Sequence, residues 1–304
     1  MSEFHWTGRD DSEDGPAARR VYHCHTAGGR HAIVGFESDE GVRRNQGRVG
    51  ARDGPNAIRG PLAGLPIPAD FPTFTDHGNI AVLGEELEQG QRLLGEAIVA
   101  AMQTHDRVLV LGGGHETAFG SFLGLRGAEP DAQIGILNFD AHLDIRQIGA
   151  NGPSSGTPFN QIRDREGDDF DYLCIGVAVE SNTQALFARA ADWGVRMIMD
   201  YTLTESLADA RHEIDALIER NDIIYLTIDL DVLPHYQAPG VSCPAVRGVP
   251  FSTIQTLVHY CLEGVQKQER RLPVCDIVEL NPHHDHQQMT AKTAAILARQ
   301  LLAG

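Results

Sequence analysis

The sequence has no CxxC pair, no long apolar run and no excess of basic residues. Its five cysteines, Cys24, Cys174, Cys243, Cys261 and Cys275, are odd in number and scattered over 304 residues. They argue against a disulfide framework and suit a reducing, cytoplasmic compartment. No stretch approaches the ~18–20 apolar residues of a spanning helix. The opening MSEFHWTGRDDSEDGP lacks the apolar core of a secretory signal, so no leader is expected. Lys plus Arg number 25 against 42 Asp plus Glu, a formal charge of −17. That balance repels phosphate backbones and anionic membrane surfaces, so neither nucleic acid nor membrane is expected as a partner. Aromatic residues are scarce, at 6%, while histidines number 14. Where those imidazoles cluster becomes the question.

Hydrophobic residues make up 42% of the chain, enough for a substantial core and against global disorder. Short β-branched runs alternate with longer amphipathic stretches from end to end. The expected strands are 32–36, 79–83, 107–111, 134–139, 172–177, 195–199, 223–228 and 273–279. Several are almost continuously apolar, as strands buried on both faces of a parallel sheet are. Leu87, Leu94, Ile98, Ala101 and Met102 form one helical stripe. Leu203, Leu207, Ala210, Ile214 and Leu217 form another, and 290–302 reads as a C-terminal helix. This alternation implies one doubly wound α/β domain over residues 1–304, with ligands beyond the carboxyl ends of the strands.

Four strand ends carry chemistry. Gly112-Gly113-Gly114-His115-Glu116 follows the third strand. No glycine stands at 117, so it is a weak dinucleotide fingerprint; a tight turn that aims His115 into a cleft is the alternative. Asn138-Phe139-Asp140-Ala141-His142-Leu143-Asp144 follows the fourth. In extended chain, alternate side chains share a face, so Asp140, His142 and Asp144 are expected on one patch. Thr227-Ile228-Asp229-Leu230-Asp231 repeats the device. Two imidazoles and four carboxylates without a thiol suit hard or borderline divalent ions such as Mn²⁺. Six ligands exceed the needs of one catalytic ion, so two ions sharing bridging aspartates fit better, about 3.5–4 Å apart and holding a hydroxide nucleophile. Glu279 in Glu279-Leu280-Asn281-Pro282 is expected to meet the same cleft and face a cationic part of a substrate.

In this order, over nearly the whole chain, these motifs resemble the ureohydrolase family of arginases, agmatinases and formimidoylglutamases. The resemblance implies a three-layer α/β/α sandwich with a mostly parallel sheet and two Mn²⁺ ions per subunit. Carried over by position, His115 and Asp144 would bind one ion and His142 and Asp231 the other, with Asp140 and Asp229 bridging. A metal-bridging hydroxide would attack the amidine or guanidine carbon. Asp144 would help move its proton, and Glu279 would pair with the cationic C–N group. A trimer or hexamer is the family's common assembly.

Within that family the formimidoylglutamase branch is the most similar. Ser155, in Ser154-Ser155-Gly156-Thr157-Pro158-Phe159, stands where many arginases and agmatinases have a histidine. Asp144-Ile145-Arg146, the segment Val42 to Pro55 and Trp6-Thr7-Gly8-Arg9 resemble that branch too. The implied reaction is hydrolysis of N-formimino-L-glutamate to L-glutamate and formamide, in histidine degradation. Its substrate has two carboxylates. Arg146 and Arg48 are candidates for them, with Asn45, Ser155 and Asn160 as neutral donors. The alternatives are an agmatinase-like or guanidinobutyrase-like enzyme releasing urea, a non-catalytic metal-binding module, and a dinucleotide-dependent enzyme. His283-His284-Asp285-His286 is expected to be loop packing and helix capping, and His23-Cys24-His25 an ordinary strand or turn. Cys243 is expected near the cleft, with no base partner for a nucleophilic thiol.

Overall fold

The apolar runs become strands. In the computed structural model, which describes residues 4–304, these are β1 (His31–Glu37), β2 (Phe74–Ala81), β3 (Arg107–Leu111), β4 (Ile134–Phe139), β5 (Asp171–Val177), β6 (Arg196–Met199), β7 (Ile223–Asp229) and β8 (Val274–Val278). They form one sheet in the order β2-β1-β3-β8-β7-β4-β5-β6. Every neighbouring pair is parallel. Alternate residues of a strand enter opposite cores. Leu109 and Leu111 of β3 pack on one side of the sheet, Val108 and Val110 on the other. Leu137 and Phe139 of β4 part in the same way from Ile134 and Ile136. Both faces need apolar side chains, which is why these strands read as continuous runs.

Helices cover the two faces. Short α1 (Glu40–Arg44) lies beyond the end of β1. On one face lie α2 (Gly54–Ala63), α7 (Ala208–Arg220), α8 (Phe251–Lys267) and α9 (Met289–Ala303), which contribute Ile58, Leu217, Leu257 and Leu297 to one core. On the other lie α3 (Leu87–Met102), α4 (Thr117–Ala128), α5 (Pro158–Glu166) and α6 (Gln184–Asp192), contributing Ile98, Phe122, Ile162 and Leu186. The expected three-layer sandwich is what forms.

Two elements differ from the sequence reading. β2 starts at Phe74 rather than at 79, because it is an edge strand whose Thr75, Asp76 and His77 give no apolar run. The stripe from Leu203 to Leu217 is two elements. Leu203 sits in a 3-10 turn, Thr202–Thr204, and α7 begins only at Ala208; both bury side chains in the same core.

His31 opens β1, at the end of the sheet away from the motif-bearing loops. It is 2% exposed and its Nδ1 makes no hydrogen bond. Burial, aided by Arg107 and Arg30, pushes its pKa down to about 4 from 6.5. Below 6.5 the unfolded chain takes a proton that the folded chain refuses. Stability should therefore fall as pH drops from 6.5 toward 4, with about 2 kcal/mol lost to this group by about pH 5. Urea unfolding of His31→Gln is expected to show a shallower loss than the parent over that window. Parallel losses would contradict it.

Candidate metal centre

β3, β8, β7 and β4 are consecutive neighbours in the middle of the sheet. Their carboxyl ends carry the four motif loops, so one crevice receives them all, where open parallel sheets place ligands. The glycine run after β3 serves close approach, not phosphate. A Cβ on Gly113 would lie 1.8 Å from Ser38 O. This packing removes the backbone cradle that a dinucleotide reading needs, and it aims His115 into the crevice.

Around His115 the carboxylates crowd. Its Nδ1 lies 3.0 Å from Asp140 Oδ2, 3.0 Å from Asp144 Oδ2 and 3.1 Å from Asp229 Oδ2. None of the three contacts has hydrogen-bond geometry, so Nδ1 is a buried atom without a hydrogen bond. One N–H could serve at most one of the three oxygens. Donors converging on a common point are what a cation site presents. Beside it, His142 Nδ1 lies 3.0 Å from Asp231 Oδ2 and 3.5 Å from Asp140 Oδ1. Asp231 Oδ1 is likewise buried and unpartnered. Two ligand groups result, His115 with Asp140, Asp144 and Asp229, and Asp140 with His142 and Asp231. Asp140 belongs to both. All six residues expected as ligands are brought together.

The geometry that delivers them differs from simple alternation. β4 ends at Phe139, and Asp140–Asp144 is a loop in which Asp144 has φ 47°. Asp231 sits in a 3-10 turn, its amide donating to Asp229 Oδ1. The left-handed backbone at Asp144 turns its carboxylate back toward His115, which a straight strand would not do. Asn182 holds this loop, accepting from Leu143 N and donating to Ala141 O.

Electrostatics follow from burial and crowding. Burial pushes the Asp144, Asp229 and Asp231 carboxyls up, and neighbouring carboxylates add to it. Burial opposes ionisation of Asp140 as well, yet the His115 and His142 imidazoles beside it hold its carboxyl below the usual range. The same burial would pull both imidazoles down, but the surrounding carboxylates outweigh it and hold them well above 6.5. Protons on the imidazoles thus act as counter-charge for the aspartates. A pair of divalent ions would neutralise four carboxylates directly, and loading would release those protons.

Behind His115, its Nε2 meets Thr227 Oγ1 at 3.1 Å. Thr227 and buried Asp276 are register partners on β7 and β8, and the hydroxyl sits against that carboxyl. With Nε2–H donated to that hydroxyl, the proton released on metal loading is the one on Nδ1, which frees its lone pair toward the centre. Thr227→Val is expected to weaken metal binding about 10–100-fold, while Thr227→Ser recovers most of it. Metal titration by calorimetry checks this; equal affinities would remove Thr227 from the centre's support.

Over the centre lies a cavity of about 470 Å³. Glu279, expected there, lines it at 3% exposure and φ 70°. Its carboxylate accepts from His115 N at 2.9 Å and Ser242 Oγ at 2.7 Å. Burial, then the nearby Glu116 carboxylate, pushes its pKa up to about 8. Asn45, Ser155, Arg48 and Arg146 also line the cavity. Asn45 Nδ2 donates to Ser155 Oγ at 3.1 Å.

The two arginines are not equivalent. Arg48 spends Nε on Ser242 O and Nη2 on Val241 O, so it ties the 241–243 loop in place. Arg146 is exposed, and among the described residues no group pairs with its guanidinium. Asn160 does not line the cavity. It is buried on α5, in the layer below.

Sequence reasoning missed Gln46, Ser181, Asn182, Leu186 and Ser242 among the lining residues. Ser181, Asn182 and Leu186 follow β5, so applying the strand-end rule to a fifth strand would have found that side. Cys243 lines the cavity as expected. Asp285 caps α9 by accepting from Thr290 N and Ala291 N, while His283 pairs with Asp53 and His284 is exposed. His23 and Cys24 lie in a 3-10 turn that His25 ends.

The chain is similar to known proteins over nearly its whole length. A family model described as the arginase family matches residues 30–304. A formimidoylglutamase of Chromobacterium violaceum is 44% identical over 305 residues, covering 97% of this chain and 96% of that protein. One of Nocardia farcinica is 43% identical over 306 residues, covering 98% and 95%. Among solved structures, formimidoylglutamase from Bacillus subtilis superposes with a TM-score of 0.83 at 22% identity, covering 99% of this chain and 93% of that one. Trypanosoma cruzi formiminoglutamase with Mn²⁺ gives 0.82 at 22% identity, covering 94% and 98%. At that identity the structural likeness speaks for the fold.

Proposed function

This chain belongs to the arginase family, and from that membership we propose that it hydrolyses N-formimino-L-glutamate to L-glutamate and formamide. Support comes from relatives 41–44% identical over nearly the whole chain. The observation that carries the substrate choice is Arg146, a guanidinium without a protein partner at a cavity whose floor is the aspartate cluster. A dicarboxylate amidine uses such a cation, whereas a cationic guanidine such as agmatine would be repelled by it.

The cofactor we propose is a pair of Mn²⁺ ions. His115, Asp140, Asp144 and Asp229 would hold one and Asp140, His142 and Asp231 the other. When bound, such ions supply the Lewis acidity that makes water a nucleophile at neutral pH. The residues of the chain supply the rest. Asp144 lines the cavity with its side chain 12% exposed, so it can receive the proton that water loses on attacking the formimino carbon. That proton goes to the glutamate nitrogen, the bond from it to the formimino carbon breaks, and formamide keeps the other nitrogen. Glu279 pairs with the cationic C–N group. Arg146 takes one carboxylate by its fork, and Asn45 and Ser155 offer neutral donors to the other. Arg48 adds positive field while its donors hold the 241–243 loop.

Among the described residues no helix is long and apolar enough to cross a membrane. A cytoplasmic setting in histidine degradation suits the five free cysteines, and a trimer or hexamer is the assembly we propose. The test of the substrate reading is a panel. kcat/KM for N-formimino-L-glutamate is expected to exceed that for agmatine, arginine or 4-guanidinobutyrate by about 10³-fold or more, since like charges set against each other across a binding site cost several kcal/mol. Urea release from any guanidine at comparable efficiency would overturn it.

A further inference from the structure

Away from the cleft, two imidazoles face each other across the edge of the sheet. His77 Nε2 lies 3.1 Å from His105 Nε2, with the rings crossed at 75° rather than stacked. His77 is on β2, the edge strand. There β2 carries an extra residue: Asp76 pairs with Ile33 and Asn79 with Gly35, so two residues of β2 oppose Val34 alone. Gly78 takes φ +75° at this bulge. Bulges at sheet edges re-aim a side chain, and this one is at the residue that meets His105. His105 sits between α3 and β3, its amide bonded to Ala101 O.

The ring of His105 has its tautomer set by its surroundings. Nδ1 lies 2.7 Å from Gly29 O, a carbonyl that can only accept, so Nδ1 carries the proton. Nε2 then presents a lone pair toward His77. A carbonyl on the far nitrogen is the usual support of a metal-bound imidazole. The spacing fits as well. Two nitrogens bound at ~2.0–2.1 Å to one ion, at angles between about 90° and 109°, stand roughly 2.9–3.4 Å apart. Burial, then His105, lowers the His77 pKa, so protons compete weakly for that ring at neutral pH.

We propose that His77 and His105 form a peripheral site for a borderline divalent transition-metal ion of the zinc, nickel or copper class, separate from the catalytic centre. The donor chemistry sorts the metals. The centre offers four carboxylates and two imidazoles and suits Mn²⁺; the edge site offers imidazole nitrogens alone, which hard ions bind poorly. Water completes the shell, since His77 is exposed. The bound ion joins β2 to the loop before β3 and, through the Gly29 carbonyl, to the entry of β1. Because the unfolded chain does not hold these rings together, the ion stabilises the fold by mass action.

The experiment is equilibrium dialysis of the Mn²⁺-loaded protein against Ni²⁺, with Mn²⁺ kept in excess. The parent chain is expected to bind one more equivalent of Ni²⁺ than His77→Ala and than His105→Ala. Ni²⁺ is expected to raise the thermal midpoint of the parent and not of either variant. Turnover should be equal in the three proteins, which shows that the variants fold. His77→Ala decides alone should His105→Ala fail to fold, because its side chain is exposed. Equal Ni²⁺ uptake in parent and His77→Ala, or a midpoint shift that survives in that variant, overturns the proposal.

Discussion

Asp140→Ala is expected to bind fewer than two metal equivalents and to lose turnover by about 10³-fold or more. Asp140 is the residue common to both ligand groups, and Asp229 is the third carboxylate at His115 Nδ1. Asp229→Ala should therefore show the same loss of turnover. The near-isosteric Asp140→Asn should fail as Asp140→Ala does, since charge rather than volume is what the ions need. Stability separates this from misfolding. In ion-free protein, burial and the neighbouring carboxylates push the Asp229 carboxyl up, so Asp229→Asn relieves repulsion within the cluster. That ion-free variant should be at least as stable as the ion-free parent while being inactive. Metal analysis, steady-state kinetics and chemical unfolding read the three parts. Full activity with two bound ions would contradict the shared role of Asp140.

Arg146→Ala is expected to lower kcat/KM for N-formimino-L-glutamate by about 100-fold, the scale of a lost charge-assisted pair. Most of the loss should appear in KM, because the guanidinium holds a carboxylate remote from the reacting carbon. Metal content should not change, since Arg146 contacts none of the six metal-facing side chains through an ion pair or hydrogen bond among the described residues. Arg146→Lys should recover only part of the loss, because it restores the charge without the fork. Product inhibition by glutamate should weaken in the same proportion. Unchanged kinetics would remove Arg146 from the substrate site, and the substrate choice would then rest on the relatives alone.

The six metal-facing residues were legible because chemistry and topology coincide at strand ends. β4 and β7 are apolar runs that stop at an aspartate, and alternation alone put two further ligands nearby. What alternation could not supply was the turn. Asp144 reaches His115 through a left-handed backbone, and that conformation is set by the loop's anchoring on Asn182, 38 residues further along. Arg48 and Arg146 looked alike in sequence. They differ because Arg48 meets carbonyls 193 and 194 residues away, a long-range partnership with no local signature. Asn160 failed for the opposite reason. It lies close in sequence to Ser155, but α5 begins at Pro158 and carries it into the packed layer. β2 was placed late because a half-exposed edge strand has no apolar run to announce it. Local pattern thus located the strands and the charged loops, while tertiary contacts decided which polar side chains remain available to a substrate.

The most direct measurement is glutamate release from N-formimino-L-glutamate by protein loaded with Mn²⁺, beside the same protein after chelation. The account expects glutamate and formamide in equal amounts, loss of both on chelation, and recovery when Mn²⁺ is returned. Protein carrying two ions that releases no glutamate, or releases it equally well after the ions are removed, would contradict the account.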